Sequence, residues 1–114
     1  MPVCQNAHKL ATDVYKLTSD LPRSEDYSLT SQIRRSSNSV PANIAEGFKR
    51  SGRAEKARFL NIAQGSLEET RYYLILANDL RYAETTKPLL ASLEEVGRLL
   101  GGYIRALRTP PPSD

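Results

Sequence analysis

The stretch Leu60-Asn61-Ile62-Ala63-Gln64-Gly65-Ser66-Leu67-Glu68-Glu69-Thr70-Arg71-Tyr72-Tyr73-Leu74-Ile75-Leu76-Ala77 places Leu60, Ala63, Leu67, Thr70, Leu74 and Ala77 at intervals of three, four, three, four and three. Residues so spaced return to one side of an α-helix, whereas a half-buried strand would alternate every second position. The seam is narrow and regular, which lets one helix lie along another at a small crossing angle. A helix of this kind buries its seam only if other helices cover it, so the rest of the chain is expected to supply them.

Working outward, the chain does so. Downstream, after a break near Arg81 to Thr86, Pro88 stands where an early helical turn tolerates it. Leu89, Leu93, Val96, Leu100, Ile104 and Leu107 then form another stripe. Upstream, Gly52 reads as an N-cap, with Glu55 in the first turn where a carboxylate suits the positive helix end. Before it, Leu29, Ile33, Ser36, Val40, Ile44 and Gly47/Phe48 keep the same rhythm, predicting a helix over 24–49 capped by Ser24 and kinked at Pro41. Ala7, Leu10, Ala11, Val14, Leu17, Thr18 and Leu21 predict a first helix ending before Pro22. Four amphipathic helices with short connections predict an all-α, antiparallel up-down four-helix bundle over 1–108, followed by a disordered Pro-rich tail over 109–114.

Composition narrows the function. At 114 residues the chain has room for one core, and 39% apolar with 25% charged residues is ordinary for a soluble domain. No apolar run approaches the ~20 residues of a membrane span, and the N-terminus has no leader pattern, so a cytoplasmic location is expected. Cys4 and His8 are the single cysteine and histidine. They read as ordinary first-helix residues, because an intrachain disulfide, a zinc cluster and a nucleophile–histidine pair each need more than they provide. Glu68-Glu69 and Glu94-Glu95 are adjacent pairs whose carboxylates point about 100° apart on a helix, which suits solvated faces better than acid–base work on one substrate. Neither a Walker loop nor a dinucleotide-binding glycine motif is present. No enzymatic activity, metal, cofactor or small-molecule substrate is expected.

Charge is unevenly placed. Ser36 to Ala45 runs nearly three helical turns without a charge, as do Phe59 to Leu67 and Tyr72 to Asn78 on the next helix. Charge depletion marks the centre of interfaces, and small residues allow backbones to approach, so a homo-oligomer is expected. Its interface is assigned to Gln32, Ser36, Ser39, Asn43 and Glu46, a polar stripe at four-three-four-three spacing, with Phe59, Ile62, Gly65, Ser66 and Tyr73. The stripe either fixes register between subunits or bonds locally beside Pro41. The net charge of +3 is mild, yet Lys49, Arg50, Arg53, Lys56 and Arg58 fall within ten residues, with Arg34 and Arg35 earlier. These seven are the candidate contacts to RNA or DNA phosphates, multiplied by symmetry in an oligomer. The other reading is a solvated turn that pairs locally with Glu55 and keeps an adaptor for another protein soluble.

The segment from Leu29 to Gly47, with its run Arg34-Arg35-Ser36-Ser37-Asn38-Ser39-Val40-Pro41-Ala42-Asn43-Ile44-Ala45-Glu46, resembles the small four-helix bundle family encoded in intervening sequences of bacterial 23S ribosomal RNA genes. Arg58 to Glu69 and Leu76-Ala77-Asn78-Asp79-Leu80 extend the resemblance from about Val3 to Arg105. It implies a ring-like homopentamer without established enzymatic activity or cofactor. That family is in turn similar to the pentameric accessory protein of diversity-generating retroelements, a basic barrel that binds nucleic acid and a reverse transcriptase. Arg34, Arg35, Asn43, Glu46, Gly47, Arg58, Gly65 and Ser66 match the family's characteristic positions. Three features depart from its pattern: Cys4 stands where many relatives have Trp, Gly52 where they often have a capping Ser, and the start is shorter.

Overall fold

A computed structural model describes residues 1–84 and 86–109; the tail expectation for Pro110 to Asp114 lies outside the described residues. Four helices carry the fold, with no strand among the described residues. These are α1 (Pro2–Thr18), α2 (Leu29–Lys49), α3 (Arg53–Asp79) and α4 (Lys87–Arg108), and a single 3-10 turn, Arg23–Glu25, separates α1 from α2. Together they form a rod of 59 × 23 × 19 Å.

The seam that decides the fold is the buried face of α3: Leu60, Ala63, Leu67, Thr70, Leu74 and Ala77 are all buried. The stripes of the other helices meet it, with Val3, Ala7, Leu10 and Val14 from α1, Ile33, Val40 and Ile44 from α2, and Leu93, Val96, Leu100 and Ile104 from α4 in one core. Cross-helix pairs give the order of packing. Thr18 meets Arg34 and Tyr15 meets Asn38 between α1 and α2; Ser36 meets Thr70 and Ser39 meets Ser66 between α2 and α3. Between α3 and α4, Arg71 meets Glu94 and Arg53 meets Leu107. In each pairing the residue numbers of one helix rise as those of its neighbour fall.

One local feature differs from the sequence reading. The second helix begins at Leu29 rather than after Ser24, which lies in the 3-10 turn. The cause is Glu25: its carboxylate accepts from the Ser28 hydroxyl at 2.5 Å, from the Leu29 N–H at 3.4 Å and from the Tyr82 hydroxyl at 3.1 Å. A carboxylate there satisfies free N–H groups and the positive end of α2, and reaches the α3–α4 connection as well. The Ser28 hydroxyl first, then those of Tyr82 and the Leu29 N–H, hold the Glu25 carboxyl below its usual range.

Gly47, on the stripe of the expected second helix, is a buried residue of α2. A Cβ there would come within 3.2–3.3 Å of the Leu60 side chain, the Lys56 carbonyl and Phe59 Cβ, so its bareness lets the last turn of α2 touch the first turns of α3. Only Arg50 to Gly52 then remain to connect them. The Gly52 N-cap and the placement of Glu55 are as expected, and Pro88 sits in the first turn of α4.

Candidate nucleic-acid interface and self-association face

Six of the seven cations named from sequence divide into two groups with different work, and Arg35 stands apart in a pair across two helices. Arg34, Arg53 and Lys56 point at helix C-termini, where unsatisfied carbonyls carry partial negative charge. Arg34 Nε donates to Thr18 Oγ1 at 2.8 Å, and its guanidinium lies 4.6 Å from the centre of the Tyr15 ring, at the end of α1. Lys56 Nζ donates to the Phe48 carbonyl at 2.9 Å, at the end of α2. Arg53 donates to the Ala106 and Leu107 carbonyls at 3.0–3.2 Å and also to that of Thr109, at the end of α4. Arg35 pairs with Glu69 across α2 and α3 and bonds Gln32 at 3.0 Å.

Lys49, Arg50 and Arg58 form the second group, on the exposed surface where α2 ends and α3 begins. Lys49 has no side-chain partner among the described residues. Arg50 and Arg58 pair with Glu46 and Glu55 at 3.0 and 3.1 Å, exposed contacts of little energy, and both guanidiniums sit over the Phe59 ring, 4.8 and 4.5 Å from its centre. An aromatic seat fixes a guanidinium while leaving its N–H edge available to phosphate oxygens.

The fold adds two cations that sequence reading passed over. Phe48 packs edge-on against Tyr103, ring centres 5.5 Å apart, and Arg53 reaches the last carbonyls of α4, so the last turn of α4 with exposed Arg105 and Arg108 lies at the same end of the rod. More than fifty residues of chain separate Arg108 from Arg53. The one sequence signal was their place in a last helical turn, which the macrodipole alone accounts for. The opposite end carries Asp20, Glu25, Asp26, Asp79 and Glu84 against Lys16, Arg23, Arg34, Arg81 and Lys87, so its charges are balanced and the excess of positive charge lies at the α2–α3 end of the rod.

This division makes a prediction. Arg53→Gln should lower stability by about 1 kcal/mol, because it frees carbonyls at the end of α4, while Lys49→Gln should change stability by less than ~0.5 kcal/mol. Urea unfolding of the two variants checks it, and equal stabilities would contradict the division.

The expected interface residues also separate. Ser36 is fully buried and accepts from Thr70 Oγ1 at 2.8 Å, and Ser39 bonds Ser66 at 2.8 Å. This hydroxyl ladder joins α2 to α3 within one chain, so Ser36 is closed off from any partner. Asn43 donates to the Ser39 carbonyl and hydroxyl at 2.8 and 2.9 Å, the local bonding beside Pro41. Phe59 is covered by Arg50 and Arg58, and the Tyr73 hydroxyl donates to Glu69 at 3.0 Å. That bond, followed by desolvation, holds the Tyr73 phenol above its usual range. Gln32, Glu46, Ile62 and Gly65 are exposed, with Ile62 at 41%. Exposed Tyr72 and Ile75 stand elsewhere on the outer surface of α3.

Among the described residues no group of three or more His, Cys, Asp or Glu could hold a metal ion, and no helix is long and apolar enough to cross a membrane. No curated protein matches the chain. Among solved structures it is similar to a protein of unknown function from the S23 ribosomal protein family of Bacteroides thetaiotaomicron. The TM-score is 0.84 at 28% identity, over 90% of this chain and 98% of that one. The helical segments that carry the sequence resemblance therefore sit in a matching bundle, and with the model of the 23S rRNA-intervening sequence protein matching residues 1–102, the chain belongs to that family.

Proposed function

We propose that this protein is a non-enzymatic, cytoplasmic homo-oligomer, in the arrangement of a ring-like pentamer, whose basic end binds the phosphate backbone of nucleic acid. The observation that carries the reading is the gathering of Lys49, Arg50, Arg58, Arg105 and Arg108 at one end of a rod whose other end is balanced in charge. Such a field draws a polyanion to one end of the rod. Self-association is supported by the exposed uncharged residues of α3, and it would multiply the patch by the number of subunits.

The test uses a labelled structured RNA, a salt series and fluorescence anisotropy, with oligomeric mass recorded in parallel. Micromolar or tighter binding that weakens steeply with salt is expected. K49Q/R50Q/R58Q should remove about three units from the slope of log affinity against log salt while assembly persists. This set spares the helix-capping Arg53 and Lys56, so lost binding will not be confused with lost structure. An intact oligomer that binds no RNA at low salt would overturn the reading and leave an adaptor for another protein.

A further inference from the structure

We propose that the basic end takes the backbone of a double-helical nucleic acid, with Arg105 and Arg108 of α4 as part of the contact surface; this rests on the nucleic-acid reading above. Two observations separate a double helix from a single strand.

The first is where the cations come from. Lys49 and Arg50 belong to the last turns of α2, Arg58 to the second turn of α3, and Arg105 and Arg108 to the last turn of α4. They come from the converging ends of three helices, with Arg50 and Arg58 seated on one ring and Arg105 and Arg108 on a separate helix. The bundle is 23 × 19 Å across, wider than the roughly 12 Å of a duplex major groove, so cations on separate helix ends of it suit the phosphates of two strands. A single strand presents one row of phosphates and is usually followed by a groove that tracks it.

The second is the state of the aromatic rings. Single-strand binding without sequence preference rests on free aromatic faces on which bases stack. At this end the rings are engaged: Phe59 lies under the Arg50 and Arg58 guanidiniums, and Phe48 and Tyr103 pack on each other. The exposed tyrosines are elsewhere. Tyr27, fully exposed, follows the 3-10 turn at the opposite end, and Tyr15 and Tyr72 lie along α1 and α3. Among the described residues, the basic end therefore offers guanidinium and ammonium groups without a stacking platform, a combination suited to backbone phosphates whose bases stay paired.

The experiment compares a labelled RNA duplex of about two helical turns, a DNA duplex of the same sequence and an unstructured single strand, each titrated with the full-length protein at several salt concentrations. The duplexes should bind at least tenfold tighter than the single strand, with a slope of roughly −0.9 per neutralised phosphate. Comparison of the RNA and DNA arms identifies which backbone is preferred. R105Q/R108Q should reduce the duplex slope by about two units, and Arg81→Gln at the other end should leave it unchanged. Circular dichroism of the variants confirms that the bundle is retained. A single strand bound as tightly as the duplexes would overturn the double-helix inference while leaving the nucleic-acid reading intact. An unchanged slope in R105Q/R108Q would remove α4 from the surface, and absence of binding to all three probes would overturn the nucleic-acid reading itself.

Discussion

Leu74→Ala is expected to lower the unfolding free energy by about 3 kcal/mol and the thermal midpoint by roughly 12 °C. Leu74 is fully buried in the core, in the C-terminal half of the α3 seam. Truncation there loses both the transfer energy of three carbon atoms and the packing of the neighbours left around the cavity. The adjacent Ile75 is 41% exposed, so Ile75→Ala should cost less than about 1 kcal/mol despite the similar chemistry. Chemical unfolding of both variants at one fixed protein concentration makes the comparison fair, since association adds to apparent stability. A Leu74→Ala variant no less stable than Ile75→Ala would mean that the three-four spacing does not identify the buried face.

That contrast shows why the architecture was legible. Periodicity reports which side of a helix avoids water, and every seam position of α3 proved buried because one face of a long helix has a single way of being covered. The start of α2 was not legible for a different reason. Ser24 and Ser28 are equally good capping residues by type. What decides between them is Glu25, whose carboxylate serves Ser28, the Leu29 N–H and Tyr82, a residue 57 positions away. Local rules carry no information about such a bond.

The candidate site was legible in the same limited way. Counting cations along the chain finds Lys49 to Arg58, yet it gives Arg53 and Lys56 the same weight as Lys49, although two of them face carbonyls at the ends of neighbouring helices. It also omits Arg105 and Arg108, which only the folding of α4 beside α3 brings to that end. The charge-poor stretches behave alike: part of their cause lies inside the protomer, in the Ser36–Thr70 and Ser39–Ser66 bonds that need small side chains between α2 and α3.

Gly65 is where the protomer supplies no cause, and under the proposed self-association Gly65→Arg is expected to leave a folded monomer. A glycine inside a 27-residue helix costs about 1 kcal/mol relative to alanine. Gly47 has a reason to lack a side chain, because backbone and side-chain atoms of α3 stand 3.2–3.3 Å from where its Cβ would be. At Gly65 a Cβ would meet nothing within 4 Å, and the residue is exposed beside Ile62. Under the self-association reading, another subunit's backbone passing over Gly65 supplies the missing reason. An arginine then blocks the approach without disturbing the core. Sedimentation velocity at micromolar concentration should show the parent as a multiple of the chain and Gly65→Arg as the single chain, with unchanged helical circular dichroism. Gly65→Ala separates the two causes, since in a free helix it should stabilise by about 0.5–1 kcal/mol, whereas at a tight crossing the added methyl weakens assembly. A parent that sediments as a monomer, stabilised by Gly65→Ala, would refute self-association through this face.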